Sequence, residues 1–339
     1  RIWLQRYITC KLKCGGKRLE ILSKNRDKMK KPREMMADVL AAVVVALVKG
    51  LAHLPLRVLY VLADAIFVLL YYVLRYRRRM VRANMCAAFP DMDRRALRRN
   101  IRGFYRNFAD YTVETIKLLR VGTDTITRRM TFEGLDIIEG HFRNGRSVVA
   151  YFAHTFNWEW APSITRDFPA DIADTVVFGQ IYRPLRSRRW DDLMLQVRSR
   201  FGSVSIPKKM TLRHLLQLRK DGQLSLTGFM SDQKPSHGDP EHIIEFLGQR
   251  TRVITGTESL ARRLGMAAVY WDLTKKGRGR YHIMVRPITD NVAETGEGEV
   301  TDTYFKLLED TIRRQPQIWL WSHNRWQRNR RHPETNIEK

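Results

Sequence analysis

The stretch Ser147–Trp160, SVVAYFAHTFNWEW, contains the pattern that decides the fold. Nearly all of its first seven residues are apolar, and several are β-branched or aromatic, which predicts a buried strand over Ser147–Ala153. His154 follows that strand directly, and a predicted helix begins a few residues later, with Asn157 or Thr155 placed to cap it. Because ligands bind outside the carboxyl ends of strands in open α/β sheets, His154 is predicted to lie at a ligand-binding edge.

The same alternation of short apolar runs and amphipathic segments continues from about residue 130 onward. Further strands are predicted at Thr175–Gly179, Leu224–Phe229, Ala267–Leu273 and Tyr281–Pro287. Helices are predicted at Leu185–Phe201, Met210–Asp221, Glu258–Leu264 and Thr301–Arg314. This order predicts an α/β fold with a mixed, mostly parallel central sheet flanked by helices.

His154 and Glu159 are the residues that the sequence marks as catalytic. Five positions correspond to about 140° of rotation on a regular helix, so the two side chains meet only if His154 lies in the loop and Glu159 in the first helical turn. A neutral imidazole can then accept a proton from a substrate hydroxyl, while the carboxylate holds the other ring nitrogen. A loop histidine that is hydrogen-bonded for structural reasons has the same spacing, so both interpretations stay open at this point.

Two apolar segments precede the α/β region. Ala37–Val48 is short for a membrane span, whereas Val58–Leu74 is just long enough and contains Asp64. Basic residues flank both ends, so the positive-inside rule gives no orientation for a single crossing. We therefore expect a helical membrane anchor with both ends in the cytoplasm rather than a simple span. A buried pair of core helices in a soluble protein is the alternative.

The charge balance is unusual, since 61 Lys and Arg against 35 Asp and Glu leave a net charge of +26. Such an excess indicates a polyanionic partner: nucleic acid, an anionic membrane surface or a phosphorylated lipid. The arginine-rich segment Arg75–Arg106 directly follows the apolar segments, which favours lipid headgroups, at about 1 kcal/mol per near-surface basic residue. A solvated helix face is the simpler interpretation of this segment. No helix-turn-helix, RNP-type or zinc-finger pattern supports nucleic acid.

Cysteine and histidine positions argue against disulfides and metals. The cysteines, Cys10, Cys14 and Cys86, are too few for a disulfide framework, which indicates a reducing compartment. The histidines without metal-ligand spacing are His141, His214, His237, His242 and His282. No Walker-type loop, G-x-S-x-G elbow or dinucleotide fingerprint is present in the sequence. We therefore expect neither a metal nor a cofactor.

Four regions are predicted along the chain. These are a basic extension (1–36), anchor helices with an arginine-rich flank (37–82), the α/β domain (83–327) and a basic polar tail (328–339). The extension is expected not to belong to the natural product. Its candidate start residues are Met29, Met35 and Met36.

Several further motifs follow one another in a fixed order. They are NMCAAFP (Asn84–Pro90), His154-x4-Glu159, IYRPLRSRRWDDLMLQVRSRFG (Ile181–Gly202), MSDQKPS (Met230–Ser236), FLGQRTRVITGTESLARRLGMAAV (Phe246–Val269) and QPQIWLWSHNRWQ (Gln315–Gln327). In this order they resemble the bacterial lipid A secondary acyltransferases of the lauroyl/myristoyl type, within the wider lysophospholipid acyltransferase superfamily. The resemblance covers roughly residues 37–326, and its last motif is the most specific.

That resemblance implies a glycerolipid-acyltransferase-like fold and the transfer of an acyl chain to a hydroxyl of a lipid A precursor. The donor would be an acyl carrier protein thioester, with acyl-CoA as the alternative, and no cofactor is implied. His154 would be the general base and Glu159 its orienting partner. The implied partners are acyl carrier protein, a phosphorylated glycolipid and anionic membrane lipids, and the implied location is the bacterial inner membrane with the site on the cytoplasmic side.

Two arginines are implied to bind substrate anions, Arg183 and Arg200, because guanidinium groups suit phosphate. Arg198 competes with Arg200 for the second position. Ordinary ion pairing with Asp191 or Asp192 is the alternative for both.

Three more residues are predicted to contribute to substrate binding. Asp232 would shape the pocket or position an arginine, with turn capping as the alternative. Gly256 precedes a helix whose free N–H groups suit a phosphate or oxyanion, although a turn alone also explains a glycine there. Arg325 would contact phosphate, while the neighbouring tryptophans Trp319 and Trp321 are expected to pack in the core or at the membrane interface.

The same His-x4-acid pattern is shared by related acyltransferases that transfer the acyl chain to other lipids. A lysophospholipid, an ornithine-type lipid or a glycosylated phosphoinositide are alternative substrates. A membrane protein that binds anionic lipid without catalysis is the alternative of a different class.

Overall fold

The computed structural model describes residues 32–236 and 238–326. The chain divides into two units, residues 1–40 and residues 41–339, and of the first only the start of helix α1 is described. Most of the predicted extension, with Cys10, Cys14 and Met29, lies outside the described residues, as do His237 and the predicted tail. The predicted region boundaries therefore stay predictions.

The sheet and its helices account for most of the described residues. The helices are α1 (Pro32–Leu51), α2 (Leu56–Val68), α3 (Arg78–Ala88), α4 (Arg94–Leu118), α5 (Thr123–Thr127), α6 (Leu135–Arg143), α7 (Ala170–Ala173), α8 (Arg188–Arg198), α9 (Thr211–Lys220), α10 (Gly256–Leu264) and α11 (Glu299–Arg314). The strands are β1 (Met130–Glu133), β2 (Val148–Phe152), β3 (Val177–Tyr182), β4 (Val204–Pro207), β5 (Ser225–Met230), β6 (Ile243–Phe246), β7 (Gln249–Arg252), β8 (Ala267–Gly277) and β9 (Arg280–Thr289). A π-helical turn extends α2 over Leu69–Val73, and 3-10 helices include Trp158–Arg166 and Lys208–Met210.

Seven strands form the central sheet in the order β1-β9-β8-β2-β5-β3-β4. All neighbours are parallel except β8 and β9, which form an antiparallel hairpin. The prediction of a mixed, mostly parallel sheet flanked by helices is confirmed. Strands β6 and β7 form a separate antiparallel pair.

Strand β2 lies at the centre of this sheet, and all five of its residues are buried. Continuous burial is typical of a parallel strand that is covered on both faces, which explains why its sequence is an apolar run rather than an alternating one. Strands β2, β5, β3, β4 and β8 run in one direction and end at the same edge of the sheet, which we call the carboxyl edge. Loops that leave the carboxyl edge are therefore brought together in space.

Helix α2 packs against α4 through one face and leaves the other face open. Its buried residues are Leu56, Leu59, Ala63 and Phe67, spaced three or four apart. On the open face Val58, Val61 and Val68 are about half exposed or more. Within the described residues, Leu56–Val73 is the one helical segment long and apolar enough to cross a membrane, with 28% of it buried.

The polar residue within α2, Asp64, is held by the tip of the β8–β9 hairpin. Arg278 donates to the Asp64 carboxylate at 2.7 Å, to the Tyr60 carbonyl at 3.1 Å and to Asp110 at 2.8 Å. This hairpin tip extends from the carboxyl end of β8, so the contact fixes α2 beyond the carboxyl edge.

Candidate active site

His154 and Asp232 are brought together by two neighbouring parallel strands. The register pairs Phe152 of β2 with Met230 of β5, and each of the two polar residues follows its strand by two positions. The Nδ1 atom of His154 lies 2.7 Å from Oδ1 of Asp232, and the backbone N–H of His154 donates to Oδ2 at 3.2 Å. The carboxyl edge thus carries a histidine–carboxylate pair.

Asp232 is an ionised hydrogen-bond acceptor in this pair. Its side chain is 2% exposed, and the indole N–H of Trp319 donates to Oδ2 at 2.8 Å. Burial opposes ionisation, but His154 and the hydrogen bonds from His154 and Trp319 hold the pKa of Asp232 below its usual range. An ionised carboxylate requires the proton of the imidazole on Nδ1.

The second ring nitrogen of His154 is left as the acceptor. The amide Nε2 of Gln233 lies 3.2 Å from His154 Nε2, and because an amide nitrogen only donates, the ring nitrogen carries the lone pair. The imidazole side chain is 16% exposed. Its Nε2 atom therefore has the protonation state that a general base needs.

Glu159 makes a different pair, with Arg198 of α8. The guanidinium donates through Nη2 to Oε1 at 2.7 Å and through Nε to Oε2 at 3.0 Å, a bidentate arrangement. Burial alone would lower the pKa of Arg198, but the hydrogen bonds and charge of Glu159 raise it above its usual range. The predicted pairing of Glu159 with His154 is thus corrected, because both oxygens of Glu159 bind Arg198 while Asp232 binds the imidazole.

The local prediction around the loop is confirmed. The 3-10 helix begins at Trp158, and the side chain of Asn157 accepts from the backbone N–H of Glu159 at 3.1 Å. The Asn157 amide also donates to Glu114 at 3.0 Å, and Glu114 is fully buried. His154 therefore lies in the loop and Glu159 in the first helical turn, as predicted, although the two side chains bind different partners.

The carboxyl-terminal segment lies against the His154 loop. Thr155 and Trp319 form an antiparallel bridge, and the Phe156 N–H donates to the Ile318 carbonyl at 2.9 Å. Burial lowers the pKa of His323 to about 4, so this second histidine is neutral at physiological pH. The bridge to Thr155 places Trp319 so that its indole N–H donates to Asp232, in addition to the packing role predicted for it.

Arg325 is buried, with 5% of its surface exposed, and it lies close enough to Asp232 for the carboxylate to favour its charged form. Its Nη2 donates to the Arg252 carbonyl at 2.9 Å, while its Nε is buried without a partner among the described residues. Burial lowers the pKa of Arg325 to about 10, which leaves it charged. Its predicted phosphate contact stays a prediction.

Neither Arg183 nor Arg200 makes a hydrogen bond or ion pair with His154 or Asp232 among the described residues. Arg183 is exposed beyond the end of β3. Arg200 is exposed and donates to the Val121 carbonyl at 3.1 Å rather than to Asp191 or Asp192. For the second arginine position, the structure brings Arg198 rather than Arg200 to Glu159.

Gly256 is the first residue of α10, and an added Cβ there would meet nothing within 4 Å. The next residue, Thr257, shares a hydrogen bond of 3.0 Å with Ser231, beside Asp232. The helix start therefore lies against the Asp232 loop, while its predicted contact with an anion stays a prediction.

A small apolar pocket, with internal space of about 20 Å³ and open to solvent on one side, lies next to the end of β2. It is lined by the 3-10 helix through Ala161 and Ile164, by Gly179 of β3, by Gly228 of β5 and by Phe152, which ends two residues before His154. A Cβ on Gly228 would come within 2.9 Å of the Phe152 ring, so glycine at this position leaves room for that ring. The carboxyl edge therefore places a proton acceptor two residues after Phe152, which lines a mostly apolar surface.

Sequence reasoning missed the pairing of Asp232 with His154 and the roles of Gln233 and Trp319. The signal was present in the order of elements, since His154 and Asp232 each follow an apolar strand immediately. Only the adjacency and register of β2 and β5 turn that signal into a contact.

The sequence was also compared with known proteins. The model of the family described as "Bacterial lipid A biosynthesis acyltransferase" matches residues 26–328, which is most of the chain. No individual curated protein gives a significant match.

Proposed function

From the premise that this chain belongs to the bacterial lipid A biosynthesis acyltransferase family and is therefore an acyltransferase, we propose the reaction that it performs. It transfers a fatty acyl chain from the thioester of an acyl carrier protein to a hydroxyl of a lipid A precursor. The observation that carries this proposal is the His154–Asp232 pair, with the two atoms 2.7 Å apart and the unprotonated Nε2 of the imidazole at the carboxyl edge.

In the proposed mechanism, His154 Nε2 accepts the proton of the acceptor hydroxyl as the hydroxyl oxygen attacks the thioester carbonyl. Asp232 stabilises the imidazolium that forms and keeps the proton on Nδ1. Collapse of the tetrahedral intermediate breaks the carbon–sulfur bond, and the leaving thiolate receives the proton from His154. An ester is formed and a thiol is released, with positioned base catalysis contributing roughly 10²–10⁴-fold.

Glu159 has a positioning role in this proposal. Its bidentate bond to Arg198 connects the 3-10 helix to α8, and the same helix lines the pocket through Ala161 and Ile164. The pair therefore fixes the wall along which the acyl chain is proposed to lie. Glu159 also accepts from the indole N–H of Trp158 at 3.2 Å, and the Trp158 ring packs edge-on against the imidazole of His154, with ring centroids 5.1 Å apart.

This pocket marks the proposed entry of the acyl chain. Its surface is mostly apolar and it reaches Phe152, two residues before the base. Its internal space of about 20 Å³ holds about one water molecule, so the 3-10 helix and β3 must move apart when the chain binds. Burial of each methylene is worth about 0.8 kcal/mol, so the affinity for the donor should rise with the number of methylenes seated there.

Membrane association is supported by the open apolar face of α2 and by the arginine-rich segment that follows it. We place the protein at the inner membrane with the carboxyl edge on the cytoplasmic side, where acyl carrier protein is available. A phosphorylated acceptor and anionic lipids both complement the net charge of +26.

The test is mass spectrometry of lipids from a deletion strain of the source organism complemented with wild type, His154→Ala or His141→Ala. His141 is the matched control, since it is also buried and lies 3.7 Å from an aspartate, Asp290, away from the carboxyl edge. We expect lipid A to lose the mass of one acyl chain in the deletion, and wild type and His141→Ala to restore it while His154→Ala does not.

Other results would contradict the proposal in distinct ways. Restoration by His154→Ala at more than a few per cent would exclude His154 as the base. A shift in a lysophospholipid, an ornithine-type lipid or a glycosylated phosphoinositide, with lipid A unchanged, would replace the proposed acceptor. No change in any lipid would favour a protein that binds anionic lipid without catalysis.

A further inference from the structure

A group of cations with no role in the proposed mechanism lies beyond the carboxyl ends of β3 and β4. We call it the basic rim, and its members are Arg183, Arg186, Arg188, Arg189, Lys208 and Lys209, all of them exposed. Residues 183–192 and 208–209 contain these six cations against two carboxylates, a surplus of four positive charges. Of the two, Asp192 lies 4.0 Å from Arg188, whose side chain is 95% exposed, so this pair neutralises little.

The basic rim places positive charge where local helix energetics disfavour it. Arg188 and Arg189 open helix α8, and Lys208 and Lys209 form the 3-10 turn that leads into α9. The first turn of a helix carries the positive end of its dipole, so cations there cost about 0.3–1 kcal/mol each. Charges that oppose local stability are expected at functional surfaces.

The position of the basic rim relative to the base follows from the strand order. Strands β3 and β4 lie two and three positions from β2, which is about 10–15 Å at the usual strand spacing. The contact with α2 lies on the other side of β2, beyond β8. The base therefore lies between the helix assigned to the membrane and the basic rim.

Apolar side chains accompany the cations. Leu185 is 48% exposed, Met210 is 43% exposed and Leu212 is 38% exposed, each next to or within the two basic segments. Arginine and methionine are enriched at protein interfaces relative to the rest of the surface, and the basic rim with its flanking residues contains both. A headgroup site for a single phosphate would not need cations spread over two separate segments.

We propose that the basic rim is the docking surface for the acidic carrier protein that delivers the acyl thioester. This inference rests on the proposed function, because it assigns the donor of that reaction to one face of the carboxyl edge. Charge complementarity is its basis, and it predicts fast, salt-sensitive association. The lipid acceptor would then approach from the side of α2 and the thioester from the side of β3 and β4.

The experiment uses the full chain in detergent micelles and fluorescently labelled acyl carrier protein, with binding measured by anisotropy. The variants are Arg188→Glu/Arg189→Glu and Lys208→Glu/Lys209→Glu. The matched control is Arg219→Glu/Lys220→Glu, which makes the same charge change in the last turn of α9, at the opposite edge of the sheet. Glutamates are favourable at the start of a helix and unfavourable at its end, so loss of folding would affect the control rather than the rim variants.

We expect each rim variant to bind the carrier protein at least about tenfold more weakly, with the difference shrinking as salt is raised. Transfer from a short acyl-pantetheine thioester, which lacks the carrier protein, should be unchanged, and the control should match wild type in both measurements. Carrier binding like that of wild type in both rim variants would overturn the inference.

Two further readouts separate the possible failures. Loss of binding to phosphatidylglycerol vesicles by the rim variants, with carrier binding retained, would overturn the inference in favour of a lipid surface. Carrier binding that depends on the basic rim, in a wild-type protein that transfers no acyl chain to a lipid A precursor, would support the docking surface and contradict the proposed acceptor.

Discussion

Two buried pairs of side chains flank the candidate active site, and they differ in a way that distance and burial do not reveal. Asp232 binds His154 and Glu159 binds Arg198, each at 2.7 Å, with the two carboxylate side chains 2% and 3% exposed. An imidazole exchanges its proton near neutral pH, whereas a guanidinium stays charged. One pair is therefore suited to proton transfer, and the other is suited only to holding two elements together.

The difference also explains why the spacing of His154 and Glu159 misled the sequence-based pairing. A carboxylate near a histidine is attractive to an imidazole, but a guanidinium with two parallel donors is the stronger partner. Asp232 has no arginine partner among its described hydrogen bonds, and it accepts from His154 and Trp319. The hydrogen-bond partner of each carboxylate is determined by the side chains that other helices and strands bring next to it.

The largest effect should come from Asp232→Asn. A carboxamide presents an N–H to Nδ1, which moves the imidazole proton to Nε2, so kcat should fall by about 10³–10⁴-fold with the fold retained. Steady-state transfer with an acyl carrier protein donor, together with circular dichroism, measures both. Activity within tenfold of wild type would remove Asp232 from the proposed mechanism.

The second prediction concerns the stability that the Glu159–Arg198 pair contributes. Glu159→Leu or Arg198→Met alone leaves one charge buried without its partner and should lower the free energy of unfolding by about 3–5 kcal/mol. The double variant should recover most of this loss, because both charges are then removed. Chemical denaturation of the four proteins gives the coupling energy.

An exposed pair provides the control for this cycle. Arg313 and Glu309 lie 2.6 Å apart on α11, with side chains 49% and 24% exposed, and a pair of this kind should contribute only about 0.3–0.5 kcal/mol. Equal coupling energies for the two pairs would show that burial does not distinguish them.

A smaller effect is expected from Ile164→Ala, which enlarges the pocket without touching either pair. The added space should favour longer acyl chains, by a factor of about 10 or more per methylene accommodated. Competition between carrier proteins loaded with chains of different length, read by mass spectrometry, gives the ratio. An unchanged ratio with reduced stability would mean that the chain binds elsewhere.

The smallest expected effect is a change in the pH dependence of stability in His323→Gln. The pKa of His323 is about 4 in the folded protein against an ordinary value of 6.5, so between these values the unfolded chain binds a proton that the folded chain does not. Stability from this group is therefore lost as pH falls through that window. The Tm of wild type should drop more steeply from pH 7 to pH 5 than that of the variant, and parallel curves would contradict this.

Much of the fold could be predicted because the central strands are buried on both faces. The predicted strand Ser147–Ala153 contains β2, and the predicted run at Ala267–Leu273 begins at the first residue of β8. Strands β1 and β4 were not predicted, since each has four residues and lies at an edge of the sheet, where the sequence alternates only briefly. Helix α8 is shorter than predicted, because it begins at Arg188 and its predicted last turn, Ser199–Phe201, is a 3-10 helix.

The candidate site could be predicted in part. The position of His154 follows from one strand and its end, which are local features. The partner of His154 depends on which strand lies beside β2 and in what register, and such pairing is set by the whole sheet rather than by neighbouring residues. Arg198 was one of two arginines considered, and only the fold selects it for Glu159.

The hairpin of β8 and β9 determines the distance between helix α2 and the imidazole of His154. Tyr270 of β8 pairs with Tyr151 of β2, so Leu273 is level with His154. Arg278, which binds Asp64, lies five residues, or about 17 Å, further along the hairpin. If α2 lies in lipid, the length of this hairpin determines how far the acceptor hydroxyl must rise from the bilayer to reach the imidazole. The length of the hairpin would then favour acceptors whose hydroxyl lies at one particular depth in the membrane, in addition to any preference for their headgroup.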